Sequence, residues 1–122
     1  MGKKVLIIDD DPGMLDMIGF ALKNAGFVVH TYHTGVGAWD KILKVIPDVL
    51  VLDVMLPGVD GYTLGLQISK DPLTEKLPIV VVTAMEGVKS KFLQLPQVVG
   101  FLSKPFDITE MTSIVASAAG GK

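Results

Sequence analysis

The stretch Asp48-Val49-Leu50-Val51-Leu52-Asp53-Val54-Met55-Leu56-Pro57-Gly58 decides the fold of this chain. Its aliphatic run has no alternating polar residues, which is typical of a strand covered on both faces of a parallel sheet. We therefore predict a central strand from Asp48 to Leu52, followed by a loop at Pro57-Gly58. Asp53 then lies at the end of a buried strand, where the chain reaches the protein surface. An unpartnered carboxylate is costly there, so Asp53 is the first candidate functional residue.

The rest of the chain alternates aliphatic runs with helix-like segments. Four more strands are predicted, the second of them at a sheet edge: Lys4–Ile8, Val28–Tyr32, Ile79–Val82 and Val98–Leu102. Periodicity and capping residues predict five helices, at about 12–25, 36–45, 61–70, 87–95 and 108–119. Parallel strands need right-handed crossovers, so this order predicts an α/β fold. The expected architecture is a flavodoxin-like, doubly wound, five-stranded parallel sheet of order 2-1-3-4-5, with helices on both faces.

Composition limits the class of protein. At 122 residues we expect one domain, spanning residues 1–122. No apolar run approaches the length of a membrane span and no signal peptide follows Met1, so we expect no membrane partner and assign the cytoplasm. Zero cysteines exclude disulfides, thiolate zinc sites and a Cys nucleophile.

The basic residues are all lysines, 11 in number, without a single arginine. They are scattered along a chain of pI about 5.5, which argues against direct nucleic-acid binding. Bidentate recognition of phosphate by arginine is excluded. A phosphate held by this protein would need a lysine and backbone amides.

Polar residues follow the predicted strands at the edge where such sheets bind ligands. Asp9, Asp10 and Asp53 should converge at the switch point between the first and third strands, flanked by Thr83 and Lys104. Three adjacent carboxylates repel one another and need positive charge, and all-oxygen ligation suits Mg²⁺. A phosphoryl group could then bind Lys104, Thr83 and the backbone N–H groups that follow Asp53 and Thr83. Asp53 could attack phosphorus and form an aspartyl phosphate.

These motifs resemble those of the receiver domain of bacterial two-component response regulators, of the chemotaxis-receiver type, over essentially the whole chain. The motifs are Ile8-Asp9-Asp10-Asp11-Pro12, Asp53 to Gly61, Val82-Thr83-Ala84 and Lys104-Pro105-Phe106. The resemblance implies that Asp53 accepts the phosphoryl group. It also implies that Asp10 binds Mg²⁺ directly, Asp9 mainly through water and Met55 through its backbone carbonyl, and that Met55 and Ala84 supply phosphate-binding backbone. The Lys104-Pro105 bond is expected to be cis.

The resemblance also implies partners and a switch. A sensor histidine kinase or phosphotransfer protein would donate the phosphoryl group, and a homodimer on phosphorylation is a further candidate. Thr83 and Lys104 would sense the phosphate, and Phe101 would report it to an output protein at the face around it. Phe101 lacks the polar tip of Tyr, so it should favour the inward rotamer.

Two features depart from the family pattern. Met55 and Met85 stand two residues after Asp53 and Thr83, where they could hinder the hydrolytic water. The segment from Gly87 to Gly100 differs from the usual helix and turn.

Several other residues are expected to have structural roles only. We expect Asp11 to be a helix cap, Trp39 and Tyr62 to pack helices, and His30 and His33 to have no catalytic role.

The residues fit three other functions less well. A pseudo-receiver would bind partners without accepting phosphate, and the complete set of site residues argues against it. An Asp-nucleophile phosphohydrolase would need an acid after Asp53 that this chain lacks. A flavin-binding domain would need a Ser/Thr/Gly-rich phosphate loop where this chain has Asp9, Asp10 and Asp11. We expect no turnover of an external substrate.

Overall fold

The computed structural model describes residues 2–85 and 87–120. Within them the strands are β1 (Lys4–Ile8), β2 (Val28–Tyr32), β3 (Val49–Asp53), β4 (Met55–Leu56), β5 (Val59–Asp60), β6 (Ile79–Thr83) and β7 (Val98–Ser103). The helices are α1 (Pro12–Asn24), α2 (Ala38–Val45), α3 (Gly61–Lys70), α4 (Lys89–Phe92) and α5 (Ile108–Ala118). No helix in the described ranges is both long and apolar enough to cross a membrane.

Five strands form one parallel sheet of order β2-β1-β3-β6-β7. The two-residue strands β4 and β5 pair separately as an antiparallel hairpin, so the sheet has the predicted order 2-1-3-4-5. The prediction of a flavodoxin-like α/β fold is confirmed. The polar strand β2 lies at a sheet edge, also as predicted, and none of its five residues is fully buried.

The core lies on both faces of the sheet, and β3 explains why. All five β3 residues are buried, with alternate side chains pointing to opposite faces. Leu50 and Leu52 pack with residues of α2, α3 and α4, whereas Val49 and Val51 pack with residues of α1 and α5. Helices on both sides therefore require hydrophobic residues at the first four positions of this strand, from Val49 to Leu52.

The second helix begins later than predicted. We expected it from Val36, but α2 starts at Ala38 because Gly37 adopts a left-handed φ of 79°. A Cβ at Gly37 would lie 2.7 Å from the Tyr32 hydroxyl oxygen, so this close approach needs glycine. Trp39, in the first turn of α2, packs against the core as expected.

The fourth helix is much shorter than predicted. The expected helix at Gly87–Leu95 is a single α-helical turn, α4, followed by hydrogen bonds of the tighter i to i−3 type: Gln94 N–H to Lys91 O and Leu95 N–H to Phe92 O. Pro96 disfavours helical conformation at the residue before it. Phe92 is 2% exposed, so one buried aromatic side chain anchors this turn to the core.

Candidate functional site

Three carboxylates meet at the carboxyl end of the sheet. Asp9 and Asp10 follow β1, and Asp53 ends the neighbouring strand β3. One carboxylate oxygen from each residue lies within 4.8 Å of the other two. Asp9 and Asp53 are 2% and 4% exposed, whereas Asp10 is exposed to solvent. Adjacent parallel strands thus place two buried acids and one accessible acid around a single point.

Lys104 joins the two buried acids. Its Nζ donates hydrogen bonds to Asp9 Oδ2 at 2.8 Å and to Asp53 Oδ2 at 3.0 Å. The Lys104 backbone N–H donates to the Thr83 carbonyl oxygen at 2.9 Å, which fixes the start of this side chain beside β6. The Lys104-Pro105 peptide bond is cis, as the resemblance implies. The sequence analysis placed Lys104 beside the acids but did not foresee a bridge between them.

Burial and charge act in opposite directions on these groups. Burial raises the pKa of Asp53 above the usual value, although the Met55 N–H and Lys104 partly oppose that effect. Burial alone would lower the pKa of Lys104, but its hydrogen bonds to Asp9 and Asp53 outweigh this, so that pKa is raised. The ammonium therefore stays charged at neutral pH. Desolvation destabilises the ionised form of Asp53, so a further positive charge nearby would stabilise it.

Backbone groups next to the acids orient them. The Met55 N–H donates to Asp53 Oδ1 at 3.0 Å, so each Asp53 oxygen accepts from a different partner. The Asp11 N–H donates to Asp9 Oδ1 at 2.9 Å. The Asp11 side chain accepts from the N–H groups of Gly13 and Met14 at the start of α1, which makes it the predicted helix cap and not a member of the carboxylate cluster.

Thr83 and Phe101 lie on one face of the sheet. Thr83 is fully buried at the end of β6, and its Oγ1 accepts from the Met85 N–H at 3.0 Å. Phe101 pairs in register with Val81, two residues before Thr83, so the side chains of Thr83 and Phe101 point to the same side. The Phe101 ring is partly buried, with its centroid 6.5 Å from that of Phe92.

An open cleft of about 490 Å³ lies beside Asp10. Met55 and Met85, which are 49% and 41% exposed, line it together with residues of the β4–β5 hairpin. The structure thus brings both methionines to the accessible side of the carboxylate cluster, with Ala84 exposed next to them. The cleft therefore leaves the exposed Asp10 carboxylate open to solvent.

A contact that the sequence does not reveal joins this hairpin to the β2–α2 loop. The Thr34 hydroxyl and the Gly35 N–H both donate to the Pro57 carbonyl oxygen, at 3.3 and 3.2 Å. Thr34-Gly35 and Pro57-Gly58 are each recognisable as turns in the sequence. Nothing in the sequence near either turn predicts that the two turns are in contact.

The sequence is similar to known proteins over nearly its whole length. A family model described as the response regulator receiver domain matches residues 5–116. The DNA-binding dual master transcriptional regulator RpaA of Synechocystis sp. is 34% identical over 113 residues, which are 92% of this chain and 47% of that protein. The chain therefore spans about half the length of this curated relative.

Two solved structures are similar over nearly their whole length. A crystal structure described as a response regulator from Chloroflexus aurantiacus has a TM-score of 0.87 and 35% identity, covering 98% of both chains. The receiver domain of a sensor histidine kinase from Pseudomonas aeruginosa has a TM-score of 0.86 and 26% identity, covering 99% of this chain and 100% of that one. In the latter structure a magnesium ion is coordinated in the active-site cleft.

Proposed function

The chain belongs to the family of response regulator receiver domains, and from this we propose that it is a signalling domain that accepts a phosphoryl group on Asp53. The observation that supports this most directly is the cluster of Asp9, Asp10 and Asp53 with Lys104 bound to its two buried members. The donor would be a histidine kinase or phosphotransfer protein. We further propose that residues 1–122 act as one receiver domain in the cytoplasm.

The donor atoms of the cluster fit Mg²⁺. Carboxylate oxygens are hard ligands, and three of them within 4.8 Å could share one small cation. We propose that Asp10 and Asp53 bind it directly, Asp9 mainly through water and Met55 through its backbone carbonyl. The related Pseudomonas receiver with magnesium in its active-site cleft supports the choice of metal. Bound Mg²⁺ would neutralise charge on the phosphoryl oxygens during transfer.

The residues of the chain determine how the transfer proceeds. An Asp53 oxygen forms a new bond to phosphorus while the bond from phosphorus to the donor imidazole nitrogen breaks, and the electron pair leaves with the imidazole. The Met55 N–H holds one Asp53 oxygen, which fixes the plane of the carboxylate. Lys104, already at the Asp53 carboxylate, can turn to the arriving phosphoryl oxygens, which also bind the backbone at Met55 and Ala84.

Phosphorylation would then change a protein-binding surface. The Thr83 hydroxyl moves toward the phosphoryl group, and Phe101 takes up the space that it leaves. The two side chains lie on the same face of the sheet, and Phe101 is next to Phe92 of α4. We propose that the face around Phe101 contacts the output protein, or a second copy in a phosphorylated homodimer. No external substrate is turned over, and no nucleic acid or membrane is bound directly.

Direct phosphorylation tests this function. The protein is incubated with phosphoramidate and either Mg²⁺ or a chelator, and its intact mass and proteolytic peptides are measured. We expect one phosphoryl adduct that forms only with Mg²⁺ and maps to the peptide containing Asp53. Absence of any adduct would favour a pseudo-receiver that binds partners without accepting phosphate.

Replacing Phe101 with Tyr should shift the ring outward. The hydroxyl gains hydrogen bonds with water, worth about 1 kcal/mol, so the inward rotamer should lose population about fivefold. Contacts between the rings of residues 101 and 92 can be measured by NMR in the unphosphorylated protein. Phe106→Tyr, in an aromatic residue that packs on the opposite face of the sheet, is the matched control. Equal inward populations in Phe101→Tyr and wild type would disprove the prediction that Phe favours the inward rotamer more than Tyr does.

Replacing the two cleft methionines should shorten the life of the aspartyl phosphate. Polar side chains at positions 55 and 85 can orient water, whereas Met can only obstruct it, so Met55→Asn and Met85→Glu should each hydrolyse about tenfold faster, which is about 1.4 kcal/mol. Decay of the adduct is followed by mass after removal of the donor. Met17→Asn changes a similarly exposed methionine on α1 and should leave the rate unchanged. Unaltered decay in both cleft variants would contradict the prediction.

A further inference from the structure

The hairpin that carries Met55 is too short to hold its own shape. Strands β4 and β5 pair only Met55 with Asp60 and Leu56 with Val59. Even longer isolated two-stranded hairpins are marginally stable in water. Because the Met55 N–H binds Asp53 and its carbonyl is the proposed backbone ligand, displacement of this hairpin would disturb the carboxylate cluster directly.

The core supports one side of the hairpin through buried Leu56, and the β2–α2 loop supports its tip. Thr34 Oγ1 and the Gly35 N–H donate to the same carbonyl oxygen, that of Pro57 at the hairpin tip. Thr34 Oγ1 also accepts from the Val36 N–H at 3.1 Å, which directs its own proton toward Pro57. The loop is fixed in turn by Tyr32, whose hydroxyl donates to the Val36 carbonyl oxygen at 2.7 Å.

Close backbone packing reinforces these hydrogen bonds. A Cβ on Gly35 would lie 2.6 Å from Val59 Cβ, and a Cβ on Gly58 would lie 2.3 Å from Val36 Cγ2. The Gly35 contact can be relieved only by movement of the hairpin or the loop, because Cβ of Val59 is fixed to its backbone. At Gly58 the Val36 methyl could rotate away, but the φ of 87° there still favours glycine. The loop and the hairpin therefore interlock through two glycines, one on each side of the contact.

We infer that Thr34 and Gly35 are positioning residues for the Mg²⁺ site, acting through the hairpin on the Met55 carbonyl and N–H. This inference rests on the proposed function. Neither residue needs to touch the ion or the phosphoryl group. Groups that hold metal ligands in place typically change metal affinity by about 10- to 100-fold when removed, even when they make no contact with the metal.

Titration of Mg²⁺ into the metal-free protein by calorimetry tests the inference without any measurement of activity. Thr34→Val keeps the shape of the side chain and removes the hydroxyl, and it should weaken Mg²⁺ binding about tenfold. Thr34→Ser keeps the hydroxyl and should bind like wild type. Gly35→Ala, which places a Cβ against Val59, should lose at least as much affinity as Thr34→Val.

Two measurements on the metal-free variants separate positioning from general stability. Hydrogen exchange of the peptide covering residues 54–61 should be faster in Thr34→Val than in wild type, while the thermal midpoint stays within a few degrees. Unchanged Mg²⁺ affinity in Thr34→Val, or an equal loss in Thr34→Ser, would overturn the inference and leave the proposed function standing. Failure of wild type to bind Mg²⁺ at all would overturn both.

Discussion

Replacement of Asp53 with Asn is expected to lower the rate of phosphoryl acceptance by about 10⁴-fold or more, as when other enzymes lose their nucleophile. An amide oxygen is a poor nucleophile, whereas the shape of the side chain is retained. Burial raises the pKa of Asp53, so its ionised form destabilises the folded protein at neutral pH. The Asn variant lacks this cost, although its single amide oxygen can replace only one of the two Asp53 acceptors, so it should remain folded. The intact mass after incubation with Mg²⁺ and phosphoramidate should show no adduct.

Asp11→Asn provides the matched control for this variant. Asp11 belongs to the same acidic run as Asp9 and Asp10, but its side chain caps α1, and Asn caps a helix equally well. This variant should acquire the adduct at the rate of wild type. An equal adduct on the Asp53 variant would show that phosphate is attached elsewhere and would refute the proposed mechanism.

Strands β1, β3 and β6 could be predicted because each contains a continuous aliphatic run. β1 has the predicted bounds and β3 is displaced by a single residue, since residues buried on both faces leave a signal that depends on no distant contact. The capped helices were equally accessible: Asp60 accepts from the Tyr62 N–H at the start of α3, which has the predicted bounds. The predicted boundaries that differ most from the structure are those of α2 and α4, whose starts are not marked by a capping side chain.

Neither α2 nor α4 has a side-chain hydrogen bond at its N-cap. The start of α2 depends on Gly37, which has a left-handed φ and lies so close to the distant Tyr32 hydroxyl that a Cβ would collide with it. In α4 a single turn persists because Phe92 packs between Tyr62 and Phe101, with centroid distances of 5.4 and 6.5 Å. Such tertiary contacts override local preference, and they leave no trace in the surrounding sequence.

The acidic cluster could be predicted from topology, because the ends of adjacent parallel strands must meet. The bridge from Lys104 to Asp9 and Asp53 could not, since it depends on the direction of a long, flexible side chain. The proximity of Thr34 to Pro57 was equally inaccessible, as 23 residues separate them along the chain. Sequence order therefore locates the site, whereas side-chain packing decides which charges compensate one another within it.

Replacing Lys104 with Met should destabilise the metal-free protein by about 3 kcal/mol at neutral pH. Removal of one partner from a buried ion pair typically costs about 3–5 kcal/mol, and the lower value is expected because the lysine is 17% exposed. Methionine retains most of the aliphatic stem, so the loss reflects the missing charge. Asp9 and Asp53 would remain buried and mutually repulsive. Urea denaturation in the presence of a chelator measures the difference, with exposed Lys76→Met as the control.

The sign of the pH dependence distinguishes lost charge from lost packing. Without Lys104 the pKa of Asp53, already raised by burial, rises further, and a group whose pKa is raised by folding favours the folded state at low pH. The deficit of Lys104→Met should therefore shrink as the pH falls from 7 toward 5. Saturating Mg²⁺ at pH 7 should reduce it as well, because the cation replaces the missing positive charge. A deficit that is equal at both pH values and insensitive to Mg²⁺ would mean that Lys104 stabilises the fold by packing alone.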